Sequence, residues 1–380
     1  MLLILSIFLF IRPFISSLTY PYLNTGYSLI LLGILFLWAI DKKIDFKKLK
    51  AAKLPLLLFF CALIIASVFS LDRLNSISIL YQYANGILMF IICASIDDKG
   101  RSLLTRVMLA AGIMISILAI HQYFFGFSKL ADLAAREGIN DPFVIDYINS
   151  RRVFAPFVTP NILAGYLAMI LPIAFIVKKY WYLLILPIAM AIFFSKSLGA
   201  MAVITVAVTI YLLLDKETRK GEFAFALAGS IIVLLVVGFL RLSTQKTHLH
   251  PVFSSVMRLD YLGETLKIIL HAPFKGIGPG NFTMAASRYA HNSYLQLWAE
   301  CGALGMLSFI WLFSAVIDQS IKALKASARK REIACLFCAT LIFLLHNLID
   351  FSFFLSEVSL IWWVILGLLY SFSREALAES

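Results

Sequence analysis

The stretch His291-Asn292-Ser293-Tyr294-Leu295-Gln296-Leu297-Trp298 stands at the start of a long apolar segment. It follows a glycine run, Gly276-Ile277-Gly278-Pro279-Gly280-Asn281-Phe282. Of the 380 residues, 61% are hydrophobic and only 14% are charged. Polar chemistry is therefore confined to a few places in this chain, and the segment that begins at the histidine is the most specific of them.

The overall composition decides the class of protein. A mean hydropathy of +0.91 is far above that of soluble domains and predicts an all-α polytopic membrane protein, with one membrane domain over residues 1–380. The net charge of +12 would favour nucleic acid in a soluble protein. Because Lys and Arg collect in the cytoplasmic loops of membrane proteins, no nucleic-acid partner is predicted here. Cys335 and Cys338 form a CxxC inside an apolar segment, which favours core packing over a metal site.

Apolar runs predict the spans. A spanning helix needs about 20 apolar residues, and this rule predicts about twelve spans. They are residues 1–18, 22–40, 54–71, 76–96, 103–125, 162–177, 181–194, 198–214, 223–240, 292–317, 333–349 and 358–372. Two long polar segments interrupt the series, at residues 126–160 and 241–291. Short interfacial helices are expected in both, with Asp141-Pro142 starting one and residues 252–270 forming another.

Basic residues set the orientation. Placing the lysine-rich loop from Lys42 to Lys53 inside puts both termini in the cytoplasm and both long loops on the periplasmic face. The second loop nevertheless carries Arg241, Lys246, Arg258, Lys267, Lys275 and Arg288. This excess breaks the rule for outer loops and indicates a bound anion, for which the planar fork of arginine is well suited. The alternative is a surface that faces solvent or lipid headgroups.

His291 is the candidate general base. It begins a helix beside the glycines and Arg288, and a nearby positive charge would keep its imidazole neutral. The alternative is a structural histidine. Asp350 is expected to orient His291 or an arginine, or else to cap a helix end. Gly278 and Gly280 permit a backbone whose amides can cradle an anion, although such a run also forms simple turns.

The end of the first long loop carries a second group of cations. Arg151 and Arg152 precede a predicted span, at a place that favours a phosphate or diphosphate. A simple interfacial anchor is the alternative. Lys196, at the turn between two spans, is expected to add a further cation.

These segments together resemble the O-antigen ligase and Wzy-type polymerase superfamily of bacterial envelope enzymes. The matching elements are Arg152 through Phe157 to Pro160-Asn161, then Arg258, then Pro273 through Gly276-Ile277-Gly278-Pro279-Gly280-Asn281-Phe282, and finally His291-Asn292-Ser293-Tyr294-Leu295 through Glu300 and Gly302. Ala155 replaces a usual glycine, and Lys196 stands where arginine is common. Lysine keeps the charge but loses the two-pronged donor.

The resemblance implies a cofactor- and metal-independent, inverting glycosyl transfer at the periplasmic face of the bacterial inner membrane. The implied donor is a glycan on undecaprenyl diphosphate, and the implied acceptor is lipid A-core or another glycan or a protein. His291 would be the base, and Arg258 and Arg152 would stabilise the leaving diphosphate. The implied substrate-binding residues are Arg151, Arg288, Lys196, Asn161, Gly278, Gly280, Asn292 and Tyr294.

Three enzymes share this pattern and differ in acceptor: an O-antigen ligase, a polysaccharide polymerase and a protein oligosaccharyltransferase. The ligase is the favoured interpretation. Outside the enzymes, a polytopic transporter would require inverted repeats and polar residues at mid-membrane depth. Few such residues occur here, and the informative polar groups gather at one predicted face.

Overall fold

A computed structural model describes residues 1–379 apart from 42–45, 178–180, 215–219, 245–250, 286 and 327–328. Lys42, Lys43 and Lys246, which the sequence analysis used, lie outside the described residues. All regular secondary structure within the described part is helical. Its α-helices are α1 (Leu2–Ile11), α2 (Pro21–Asp41), α3 (Lys53–Val68), α4 (Arg73–Cys93), α5 (Asp98–His121), α6 (Phe127–Arg136), α7 (Pro142–Asn149), α8 (Pro160–Ile170), α9 (Trp181–Ser195), α10 (Leu198–Leu214), α11 (Lys220–Thr244), α12 (Pro251–His271), α13 (Ser293–Ala326), α14 (Lys330–His346) and α15 (Ser356–Ala378).

Several of these helices are long and apolar enough to cross a membrane. By length and composition, the described residues contain five such helices, namely Pro21–Asp41, Arg73–Cys93, Asp98–Arg136, Ser293–Ala326 and Ser356–Ala378. Shorter apolar helices run over Leu2–Phe14, Lys53–Val68, Pro160–Ile176, Leu183–Ser195, Leu198–Leu213 and Ile231–Leu240. The all-helical, multi-span class is confirmed, while the count of about twelve spans stays a prediction.

The first predicted loop is largely helical. Helix α5 continues through a π-helical turn at Gln122–Gly126 into α6, so the helix runs past residue 125 to Arg136. The polar residues of α6 lie on one face of an amphipathic helix, which a search for uniformly apolar runs does not detect. Helix α7 begins as predicted, because Asp141 Oδ1 accepts the amide of Val144 at 3.1 Å.

The helices form two compact units, each described by itself. The first comprises Met1–Thr105, Arg258–Phe337 and Asn347–Ser380. Within it α13 packs against α3 and α15, and α15 also packs against α4. Helix α15 is buried over most of its length, as expected of a helix that is apolar on all sides. Two buried arginines of this unit are paired, Arg12 with Glu357 at 3.4 Å and Arg101 with Glu375 at 2.5 Å.

The second unit comprises Arg106–Met257 and Cys338–His346. Its centre is helix α8, which is buried at every residue except Asn161 and packs against α9 and α10, while α10 packs against α11. Helix α8 ends at Ile170 and gives way to a 3₁₀ segment, Leu171–Ile176. Pro172 explains this change, because proline lacks the amide hydrogen and clashes with the preceding turn of an α-helix. One membrane domain over residues 1–380 stays a prediction.

Candidate active site

A kink in α13 builds the first half of the site. Gly302 has φ +68° and interrupts the helix. A Cβ atom at Gly302 would lie 2.0 Å from the carbonyl oxygen of Phe274, so only glycine fits this position. Because the helix is broken here, the Ala303 amide donates to Pro273 O at 2.9 Å instead of continuing the helical pattern.

The glycine run is hydrogen-bonded into this kink. The amides of Ile277 and Gly278 donate to the carbonyls of Ala299 and Glu300, each at 2.9 Å. The Gly280 amide donates to the Glu300 side chain, with N and Oε2 2.9 Å apart. The run was predicted to cradle an anion with its amides, and the group that its Gly280 amide binds here is the buried carboxyl group of Glu300 in the chain itself.

The other side of the run is fixed to the start of α4. Asn75 Nδ2 donates to Gly280 O at 2.8 Å, and Asn281 Nδ2 donates to Ser76 Oγ at 3.2 Å. A Cβ atom at Gly278 would collide with the Ser70 side chain. The run is thus held between α4 and α13. This fixes the point from which the chain continues to His291.

His291 precedes α13 in a strained backbone conformation, with φ +51°. The next residue, Asn292, caps the helix: its Oδ1 accepts the amides of Tyr294 and Leu295, each at 3.1 Å. Asn292 Nδ2 donates to Leu348 O at 3.1 Å. Asn292, predicted to bind substrate, is therefore engaged in holding the helix start, and Tyr294 packs against Phe313 with ring centroids 6.2 Å apart.

Two aromatic rings contact the His291 imidazole. The Tyr261 ring lies parallel to it, with centroids 5.2 Å apart and planes inclined by 16°. The Phe351 ring is perpendicular to it, at 5.0 Å and 86°. Tyr261 is three residues from Arg258 on α12, so both side chains lie on the same face of that helix. The contact therefore places Tyr261 beside His291, on the helix face that also carries Arg258.

The surroundings of His291 favour its neutral form. Burial lowers the pKa of the imidazole, the charge of Asp350 opposes this, and the charge of Arg258 lowers the pKa further. The predicted direction is confirmed, although burial contributes more than the neighbouring cation. A half-buried neutral imidazole can accept a proton from a hydroxyl group, as a general base requires.

Arg258 and Arg288 of the first unit have no acidic partner among the described residues. Arg258 is half-buried and Arg288 is exposed. By contrast, Arg12 and Arg101 of the same unit are both paired with glutamates. Unpaired guanidinium groups near a candidate base are suited to phosphate oxygens.

The second unit gathers the remaining predicted residues. The Arg152 guanidinium is buried, and it donates through Nε to Ser195 O at 3.1 Å and through an Nη to Asn161 Oδ1 at 3.2 Å. Lys196 Nζ donates to Ser150 O at 2.8 Å. Burial and the charge of Arg152 lower the pKa of Lys196, against an opposing effect of Asp146. Arg151 is exposed beside this group.

An apolar cavity is lined by residues that adjoin this cation group in the chain. It has a volume of about 710 Å³, and α9, α10 and α11 supply most of its lining, including Phe193 and Phe194. The Phe194 carbonyl accepts the amide of Val153 at 3.3 Å. In the chain, Phe194 is followed directly by Ser195 and Lys196. Its hydrogen bond with Val153 also connects the cavity lining to the loop that carries Arg151 and Arg152.

Backbone strain coincides with the predicted site. Among the described residues, the non-glycine residues with positive φ are Arg151, Lys196 and His291. Such conformations cost about 1–3 kcal/mol each and persist where the surrounding structure fixes them, which is often at functional sites. The chemistry of these three side chains alone had already marked them in the sequence.

Sequence reasoning missed two contributors. Glu300 was noted only as part of a motif, although a carboxyl group inside an apolar helix is itself a functional signal. Phe351, which contacts His291, gave no signal, because an aromatic residue between apolar helices is typical of core packing.

A match to a known family covers part of this site. Residues 182–310 match the family model Wzy_C, described as O-Antigen ligase. The matched segment contains Lys196, Arg258, the glycine run, His291 and Glu300. No curated protein matches the chain. The match over residues 182–310 supports the O-antigen ligase and Wzy-type superfamily that the motifs of the chain predicted.

Proposed function

We propose that this protein transfers a glycan from undecaprenyl diphosphate to an acceptor hydroxyl at the periplasmic face of the bacterial inner membrane, with lipid A-core as the acceptor. The observation that carries the proposal is the half-buried imidazole of His291, whose pKa is lowered and which lies near Arg258, a guanidinium without an ion-pair partner among the described residues. The description of the matching family as O-antigen ligase favours this acceptor over a growing polysaccharide or a protein.

The reaction needs one base and one stabilised leaving group. His291 accepts the proton of the acceptor hydroxyl as its oxygen attacks the anomeric carbon of the donor sugar. The bond from that carbon to the diphosphate oxygen breaks, and undecaprenyl diphosphate leaves with the electron pair. A single displacement of this kind inverts the configuration at the anomeric carbon.

Arg258 has two roles in this scheme. Its guanidinium stabilises the negative charge that grows on the leaving diphosphate, an effect typically worth a few kcal/mol per contact. Its charge also helps to keep the imidazole neutral. Arg288, exposed and unpaired among the described residues, is proposed as a further phosphate contact.

The second unit supports a lipid-linked donor. A lipid phosphate combines a long apolar tail with an anionic head. The apolar cavity of about 710 Å³ offers the first environment, and the cations Arg151, Arg152 and Lys196, which are linked to its lining through Phe194, offer the second. Asn161, which holds the Arg152 guanidinium, is proposed to position that arginine rather than to touch substrate.

Reconstitution tests the proposal. The purified protein would be placed in vesicles with a radiolabelled glycan on undecaprenyl diphosphate, and separate samples would receive lipid A-core, a second donor molecule or an acceptor peptide. We expect label on lipid A-core and release of undecaprenyl diphosphate in equal amount. Label only on lengthened donor glycan would indicate a polymerase, and an intact donor in every sample would contradict glycan transfer altogether.

A further inference from the structure

A polar cavity lies inside the first unit. It has a volume of about 300 Å³ and is enclosed by residues of α2, α4, α13 and α15 together with the end of the glycine run. Its polar lining includes Asn24, Gln82, Tyr83, Gln296 and Glu300. In a chain of apolar helices such polar groups are costly to bury and usually mark a functional site.

Two of these residues are buried and carry a polar atom that forms no hydrogen bond within the described part of the chain. Asn24 is 3% exposed and Tyr83 is 7% exposed. Asn24 Oδ1 accepts from Arg12 at 2.6 Å, but within the described residues Asn24 Nδ2 and the Tyr83 hydroxyl have no hydrogen-bond partner. Neither atom is fully enclosed by protein, so both groups are open to the cavity and can bind polar atoms of a ligand there.

The remaining lining is suited to a sugar. Phe353, Phe354 and Trp363 add flat apolar surfaces to the planar amide and carboxyl groups. A sugar ring presents hydroxyl groups at its rim and C–H groups on its faces, which match this combination. The volume lies at the lower end of the range for small-molecule sites, about 300–1,000 Å³.

The cavity is close to the candidate base. Tyr289 lines it and stacks on Phe351, with centroids 4.1 Å apart and planes inclined by 11°. His291 contacts the same Phe351 ring. Gln296, also in the lining, accepts the amide of Ala290 through Oε1 at 3.1 Å, and Ala290 directly precedes His291.

We propose that this cavity binds the sugar of the acceptor whose hydroxyl His291 deprotonates. The inference rests on the function proposed above. Acceptor is favoured over donor because the charged residues in the lining are one acid, Glu300, and one exposed cation, Arg288, whereas a diphosphate needs a cluster of cations. Arg258, whose charge lowers the pKa of the imidazole, is on α12, and α12 supplies none of the cavity lining.

Removing one hydroxyl group tests the assignment. Tyr83→Phe deletes a hydroxyl that has no partner in the described part of the chain, so the fold should be unaffected. Tyr166→Phe is the matched control, because the Tyr166 hydroxyl is also buried without a partner in that part but does not line this cavity. Initial rates would be measured in vesicles while lipid A-core and the undecaprenyl-diphosphate glycan are varied in turn.

We expect Tyr83→Phe to raise the KM for lipid A-core about 2- to 10-fold, the value of one hydrogen bond, and to leave the KM for the donor unchanged. A change confined to the donor KM, or no change beyond that of Tyr166→Phe, would overturn the acceptor assignment while leaving the proposed function intact. A wild-type protein that transfers no glycan would overturn both together.

A second variant, Ser359→Phe, tests the assignment by filling the cavity. Ser359 is a half-buried residue in the cavity lining, and a phenyl group there would occupy the space that a sugar ring needs. We expect transfer to lipid A-core to be lost while slow hydrolysis of the donor by water continues, which shows that the variant is folded. Transfer at the wild-type rate would contradict the proposal.

Discussion

The imidazole of His291 lies parallel to the Tyr261 ring, with centroids 5.2 Å apart and planes inclined by 16°. This contact fixes the orientation of the imidazole and connects it to α12, the helix that carries Arg258. We expect Tyr261→Phe to retain near-normal transfer, because the ring remains. Tyr261→Leu should slow transfer about 2- to 10-fold, since an aromatic pair is worth about 0.5–1.5 kcal/mol. Equal rates for both variants would show that the stacking has no part in catalysis.

The pH dependence of transfer follows from the lowered pKa of His291. The neutral imidazole is the active form, and a lowered pKa means that the proton binds only at a more acidic pH. The rate should therefore stay high as the pH falls through about 6.5, the ordinary value for histidine, and decline below it. A decline centred well above pH 6.5 would contradict the assignment.

The groups that affect His291 predict how this pH profile moves. Arg258 lowers the pKa of the imidazole and Asp350 raises it. Arg258→Gln should therefore shift the acidic limb to higher pH, and Asp350→Asn should shift it to lower pH. Profiles of kcat/KM for the residual activity would show the two shifts, and movement of both in the same direction would be inconsistent with these electrostatic effects.

The geometry of the Arg258 guanidinium should matter as well as its charge. Arg258→Lys keeps the charge but loses the planar, two-pronged donor, so we expect at least about a tenfold loss of kcat/KM for the donor. Arg73→Lys is the control, because Arg73 is exposed at the start of α4. Full activity of Arg258→Lys would argue against recognition of a diphosphate by this residue.

Gly302 should be the most demanding position of the scaffold. Its φ of +68°, and the distance of only 2.0 Å that would separate a Cβ atom from Phe274 O, leave no room for alanine. Gly302→Ala should lower the free energy of unfolding by at least about 1–3 kcal/mol and disturb the path to His291. Gly33→Ala is the control, since nothing lies within 4 Å of a Cβ atom at Gly33 in α2. Thermal unfolding in detergent would compare the two variants, and equal stability would contradict the role of the kink.

Sequence patterns identified the parts of this protein better than their connections. Hydropathy located the long apolar helices, and residue chemistry selected His291 and Lys196, both of which the structure places in strained conformations. The bond between the Gly280 amide and the Glu300 carboxyl group was not predicted, because it depends on a kink that periodicity does not reveal. Helix α6 was taken for part of a loop for a different reason, since its apolar residues occupy only one face.

The central claim is that His291 is the general base of glycan transfer, and its most direct test is the single-turnover rate of His291→Ala in vesicles. His121→Ala, which alters an exposed histidine of α5, is the matched control. Loss of a general base typically costs about 10²–10⁴ in rate, so we predict a fall of that size for His291→Ala with unchanged thermal unfolding and no fall for the control. Transfer by folded His291→Ala at the wild-type rate would contradict the claim.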